Sequence, residues 1–193
     1  MSPEFIQAAL IGFLLTFAGP YLRRKFYMRP LSGEAFVRVG LGGLRIVRER
    51  EGCWFFNHLH ILNQISLHTF RLSVTQRVIT RDLREPTLDV SFFIRVLDHD
   101  DSLRSAARSL TGDPPLQSQR ANPIRTITPS SIARVIQTRL ETHVRIGAAS
   151  ATFEQMLSNE VHWLLEWLPQ LSGDLSHYGL VIETMTVDRV SSG

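Results

Sequence analysis

Cysteine is close to absent from this 193-residue chain. Cys53 stands alone, which excludes an intrachain disulfide framework and suits a reducing compartment. Lysine is equally scarce, since Lys25 is the single lysine among 21 basic residues and the other 20 are arginine. The arginines scatter along the chain instead of forming a basic stripe interleaved with aromatics, so no nucleic-acid partner is expected. There is no phosphate-binding loop, no Gly-x-Ser-x-Gly elbow and no pair of carboxylates at catalytic spacing. The glycine-rich stretch Gly40-Leu41-Gly42-Gly43 has the wrong spacing for a dinucleotide fingerprint, and no helical pattern follows it. Heptad repeats are missing too, which leaves no coiled-coil seam. These gaps argue against an enzyme, and no cofactor or metal is expected.

The most consequential absence is local. From Phe5 to Leu22 the chain carries no charge for eighteen residues. At 1.5 Å rise per residue that run makes a helix of about 27 Å, close to the hydrocarbon thickness of a bilayer. Phe5, Ile6, Leu10, Ile11, Phe13, Leu14, Leu15, Phe17, Tyr21 and Leu22 are the residues expected to insert. Gly12, Gly19 and Pro20 interrupt the run and leave two arrangements open. The segment either spans with Pro20 near one end, or lies as a hairpin or shallow wedge in one leaflet. A cleaved signal peptide fits less well, because Glu4 precedes the run and the basic cluster follows it. That cluster, Arg23, Arg24, Lys25 and Arg29, is expected to contact anionic headgroups at about 1 kcal/mol each. For a spanning anchor the positive-inside rule places the rest of the chain in the cytoplasm. A buried core helix is the competing interpretation, and charges at one end only argue against it.

Residues 1–30 are therefore an anchor with its basic flank, and residues 31–193 suit one α+β domain with a sizeable core. Residues 34–39 and 44–48 are strand-like, with the glycine turn between them. Ile61 to Val74 continues as strand, and its apolar positions change parity near His68–Thr69, which predicts a bend or bulge. Residues 87–96 alternate apolar and polar with a period of two. Asp98 to Asp101 then offer caps for a short amphipathic helix carrying Leu103, Ala106, Ala107 and Leu110. Residues 111–128, with Gly112, Pro114, Pro115 and Pro123, read as a linker and subdomain break. Thr128-Pro129 opens the next helix, whose stripe is Ile132, Val135, Ile136, Leu140 and Val144 and which Gly147 is expected to close. Thr152 caps a short segment, and a further helix from about Ser158 is expected to kink or end at Pro169. Tyr178-Gly179 turns into a last strand over 180–190.

In that order, the chain resembles the SPFH or band 7 superfamily of stomatins, prohibitins and flotillins, most closely the flotillin-type bacterial members. The residues that carry the likeness are FVRVGLGGLRIV at 36–47, ISLHTFRLSV at 65–74 and LDVSFFIRV at 88–96. AASATFEQML at 148–157 and DLSHYGLVIETMTVDRV at 174–190 complete it. The likeness implies an SPFH domain over 31–193, with a β-rich first lobe and a second lobe of helices and a strand. It also implies a non-enzymatic, self-associating protein of the bacterial inner membrane, its domain on the cytoplasmic side, organising lipids and proteins into microdomains. The alternative role it implies is an accessory subunit that restrains a membrane protease or another membrane enzyme, with a membrane-protein partner. The expected partners are thus membrane lipids and other copies of the chain. Flotillin-type chains continue into a long Ala/Glu-rich coiled coil, whereas this sequence stops at Ser191-Ser192-Gly193. It is either a fragment or a minimal member that assembles through its domain and anchor. The apolar cluster of Trp163, Trp167, Leu164, Leu165 and Leu168 departs from the family pattern as well, and is either core or an exposed patch.

Two local patterns remain as candidate sites. His58 and His60, spaced to project to one side of a strand, are a weak metal pair that Cys53 or His68 would have to complete. Trp54, Phe55 and Phe56 are three consecutive aromatics, and neighbours in a strand alternate between faces. At least one should point away from the core and is a candidate for the membrane interface, where tryptophan is favoured. A central test concerns the anchor. Leu14→Arg is expected to impair insertion, and a variant still resistant to carbonate extraction would contradict the assignment.

Overall fold

The computed structural model describes Gly12, Phe13, Thr16 and residues 19–110, 123–158 and 160–191. Most of the proposed anchor therefore lies outside the described residues. Of its inserting positions only Phe13, Tyr21 and Leu22 are included, and all three are exposed. Among the described residues no helix is long and apolar enough to cross a membrane.

Among the described residues, nine strands and four helices follow residues 19–26, which are helical. Strands β1 (Tyr27–Met28) and β4 (Cys53–Trp54) form a small antiparallel pair. Strands β2 (Glu34–Gly40), β3 (Arg45–Val47), β5 (His60–Ser66) and β8 (Ile124–Ile127) make a sheet in the order β3-β2-β5-β8. Strands β6 (Phe70–Arg77), β7 (Thr87–Val96) and β9 (Leu180–Ser191) make an antiparallel sheet in the order β6-β7-β9. The helices are α1 (Asp100–Ser109), α2 (Pro129–Ser150), α3 (Phe153–Ser158) and α4 (Glu160–Ser176). This is α+β content, as the order of patterns predicts.

The alternating strand at 87–96 is β7, the centre of its sheet. Leu88, Val90, Phe92, Ile94 and Val96 are all fully buried along one face, where α1, α2 and α4 contribute to the same apolar core. Phe92 meets Trp167 edge-on at 6.5 Å, and Trp163 lies 5.8 Å from Trp167. The tryptophans of α4 are thus core residues, while Leu165 of the same helix is exposed. On the other face of β7, two register shifts against β9 fall beside Asp188 and Glu183. Asp188 accepts hydrogen bonds from Ser91 and Arg71, and Glu183 pairs with Arg95.

Several expectations are corrected. The strand expected over Ile61–Val74 is two strands of different sheets, β5 ending at Ser66 and β6 beginning at Phe70, with the expected bend at His68 between them. Residues 124–127 of the expected linker are strand β8, laid parallel to β5; the β-branched Ile124, Thr126 and Ile127 were masked by the preceding prolines. The four-stranded sheet consequently takes in a strand from within the expected subdomain break, and the β6-β7-β9 sheet joins strands from both sides of it. Asp98 and Asp100 do not cap α1, whose N-cap His99 makes no side-chain bond. Both acids instead bind Arg48 at the end of β3, at 2.9 and 2.5 Å, and the Arg48 hydrogen bond holds the Asp100 carboxyl below its usual range. Pro169 does not end α4, which continues to Ser176.

Gly147 does not close α2 but sits inside it, beneath the ring of Trp167. An added Cβ there would lie 2.7 Å from ring atoms of Trp167, and the Gly147 carbonyl accepts a 2.7 Å hydrogen bond from Trp163 Nε1. Absence of a side chain lets α2 and α4 approach. Gly147→Ala should therefore destabilise by about 1–3 kcal/mol through overpacking, although helix propensity alone favours alanine by about 1 kcal/mol. Denaturant unfolding of the full chain in mild detergent reads the sign, and a stabilised variant would contradict this packing.

Candidate membrane interface

The N-terminal segment is joined to the domain by a few specific bonds. Tyr27 stands opposite Trp54 and Met28 opposite Cys53 in the β1–β4 pair, and Phe55 N–H donates to Phe26 O at 2.7 Å. Arg38 of β2 donates to the Trp54 carbonyl at 2.9 Å, which fastens β4 to the first sheet. The helical residues 19–26 are therefore carried by backbone pairing and not by a flexible tether.

The three consecutive aromatics separate, although only Trp54 of the three lies in a strand. Phe55 is 3 % exposed and belongs to a small second core with Phe36, Val47, Cys53 and Leu62, so it is unavailable to an outside surface. Trp54 and Phe56 are 44 % and 37 % exposed. Their rings lie parallel, 6.5 Å apart, and Phe26 meets Phe56 at 5.0 Å. Strand structure ends at Trp54, and Phe56 opens a turn that closes with hydrogen bonds from Leu59 N and His60 N to its carbonyl.

That turn clasps the glycine turn between β2 and β3. Leu41 N–H donates to Leu59 O, and His60 Nε2 lies 3.2 Å from Leu41 O while Nδ1 accepts from Phe56 N–H. Gly40 has a φ of +150°, and a Cβ on it would fall 2.1 Å from Leu59 O. Leu41 and Leu59, whose backbone groups link the two turns, stand outward, 71 % and 51 % exposed. Ring contacts thus run from Phe26 to Phe56 and Trp54, and the two hydrogen-bonded turns beyond Phe56 add the exposed Leu59 and Leu41. Sequence inspection missed Leu41, Leu59 and Phe26 here. The available signal was a leucine alone in a glycine turn, where no core can reach it.

Positive charge adjoins this series. Arg23, Arg24, Lys25 and Arg29 are exposed. Lys25 Nζ lies 5.8 Å from the Tyr21 ring and 5.7 Å from that of Phe26, and the Arg23 and Arg29 guanidiniums lie 5.6 and 5.5 Å from that of Tyr27. Such contacts lower the cost of holding a cation beside apolar surface.

The histidine candidates are not brought together. His58 lies in the turn before β5 and not on a strand with His60, both ring nitrogens of His60 are engaged, and the His68 ring covers Gly33 beyond the other end of β5. Burial raises the Cys53 thiol pKa, which opposes formation of a reactive thiolate. Among the described residues no three His, Cys, Asp or Glu side chains stand where they could hold a metal ion.

The architecture defines an α+β domain of two interleaved sheets, with an aromatic and cationic edge beside its N-terminal segment. The family model described as SPFH domain / Band 7 family matches residues 31–192, and the chain belongs to that family. It is also similar to the flotillin family inner membrane protein YqiK of Escherichia coli (strain K12), 24 % identical over 189 residues. The alignment covers 96 % of this chain and 32 % of that protein, so the chain spans about a third of the relative's length.

Trp54 offers a direct reporter, because the other two tryptophans are buried. On addition of vesicles, its emission should shift to the blue and be quenched by brominated lipid, the Trp54→Phe variant supplying the background. Emission indifferent to both would remove Trp54 from the interface.

Proposed function

We propose that this protein is a membrane-anchored, self-associating scaffold of flotillin type, acting through lipid and protein contacts without a catalytic step. The observation that carries the proposal is the exposure of Trp54, Phe56, Leu59 and Leu41, with the Phe56–Phe26 ring contact leading to the cationic residues 23–29. Within an SPFH-family chain, an edge of that composition suits the headgroup region. Tryptophan and arginine are favoured there, and leucine can reach the acyl boundary.

In this proposal Phe5–Leu22 inserts, Arg23, Arg24, Lys25 and Arg29 contact anionic headgroups, and the turns at 40–43 and 56–60 rest against the same leaflet. The domain lies on the cytoplasmic side of a bacterial inner membrane, as the positive-inside rule gives for a spanning anchor and as the location named for the Escherichia coli relative suits. Two attachments, one inserted and one resting, would fix the orientation of every copy on the bilayer. Fixed orientation in turn favours lateral association, because it removes rotational freedom before neighbours meet.

Light scattering of the full chain in mild detergent tests self-association. One discrete mass of many chains is expected. A monomer would overturn a scaffold built by this chain alone and favour the accessory-subunit role, for which a membrane enzyme should co-purify in fixed ratio.

A further inference from the structure

We propose that Arg23, Tyr27 and Arg29 form one ordered site for the phosphodiester of an anionic phospholipid, with Tyr27 as the post that positions both guanidiniums. This rests on the lipid-facing role of residues 23–29 proposed above, and replaces diffuse charge attraction with a stoichiometric headgroup site.

The two guanidinium carbons lie 5.6 and 5.5 Å from the same ring centroid. The ring is itself fixed. It lies against Gly52, where an added Cβ would come within 2.3 Å of its Cζ and hydroxyl oxygen, and it meets Trp54 at 5.7 Å in an edge contact. Backbone pairing of Tyr27 with Trp54 sets its height on the domain. A guanidinium whose carbon lies over an aromatic ring can keep N–H edges for an anion, and those edges match phosphate oxygens in pairs.

Charge complementarity selects the occupant. Residues 19–30 hold four cations and no anion, and among the described residues neither Arg23 nor Arg29 is paired with a carboxylate. Arg23 and Tyr27 also line an open groove with Gly19, Pro20 and Arg24. Its Gly19–Pro20 end lies where the uncharged run gives way to charge. A phosphate bound at Tyr27, at the edge of that groove, sits at the foot of the anchor, the level at which a bilayer presents its own phosphodiesters. Tyr27 is thus a positioning residue, and its hydroxyl is not required.

Native mass spectrometry of the full chain, equilibrated in mild detergent with phosphatidylglycerol or phosphatidylcholine, tests the site. One phosphatidylglycerol per chain should be retained in preference to phosphatidylcholine. Tyr27→Leu should lower that retention about fivefold, as expected for loss of about 1 kcal/mol of cation–π ordering. Tyr27→Phe should leave it unchanged. Gly52→Ala, which displaces the ring without removing it, should behave like Tyr27→Leu, and Arg24→Gln should cost less than Arg23→Gln. Equal losses for Arg23→Gln and Arg24→Gln, with Tyr27→Leu unchanged, would reduce the site to a count of charges and overturn it. Equal retention of phosphatidylcholine would overturn the anionic selectivity, and displacement by millimolar inorganic phosphate would overturn the lipid as the occupant. The oligomer mass is read separately, so failure of this site and failure of the scaffold are distinguishable.

Discussion

Everything in this domain is arranged around the burial of one face of β7. Its five inward side chains, Leu88, Val90, Phe92, Ile94 and Val96, exclude water completely, at about 1.5–3 kcal/mol for each large apolar group. That burial requires a cover, which α1, α2 and α4 supply. The cover requires close helix approach, which Gly147 permits beneath the Trp167 ring. The same strand pairs on one edge with β6 and on the other with β9, so the last described strand of the chain closes against the middle one. The ends of the fold are thereby coupled through a single row of side chains.

The exposed aromatic edge depends on a different kind of constraint, the obligation to satisfy backbone polar groups. Two turns, at 40–43 and 56–60, meet part of theirs by bonding to each other through Leu41, Leu59 and His60. Those bonds leave the side chains of Leu41 and Leu59 outward. Aromatic contacts then carry the apolar surface from Phe56 to Phe26 and the helical residues 19–26. His60, which resembles a metal ligand in one dimension, therefore serves as a brace in three, since an imidazole between two backbone groups has no lone pair to give.

Much of this was legible in the sequence where a single strong period decides the element. The strand at 87–96 and the short helix with Leu103, Ala106, Ala107 and Leu110 on one face both follow from spacing alone. Thr128 caps α2 as expected, accepting from Ser131 N–H and forming a reciprocal box with it. The failures share a cause. Strand β8 is only four residues long and gains its identity from β5, a partner about sixty positions earlier. Asp98 and Asp100 look like caps locally but find Arg48 across the fold. Gly147 looks like a terminator, yet its role depends on a tryptophan twenty residues later. At the candidate interface, the aromatic run at 54–56 was visible, whereas the exposure of Leu41 and Leu59 and the engagement of Tyr27 by two arginines were not.

By itself the sequence determined the uncharged N-terminal run, its basic flank, the α+β class and the strongest buried rows, because each depends on neighbours within a turn or two of chain. Tertiary structure alone decided which aromatic of Trp54, Phe55 and Phe56 is buried, how the two sheets interleave, and which ring the arginines stack against. Those outcomes depend on contacts between distant segments. Local periodicity carries no record of them, because the energy that selects them arises only when the segments meet.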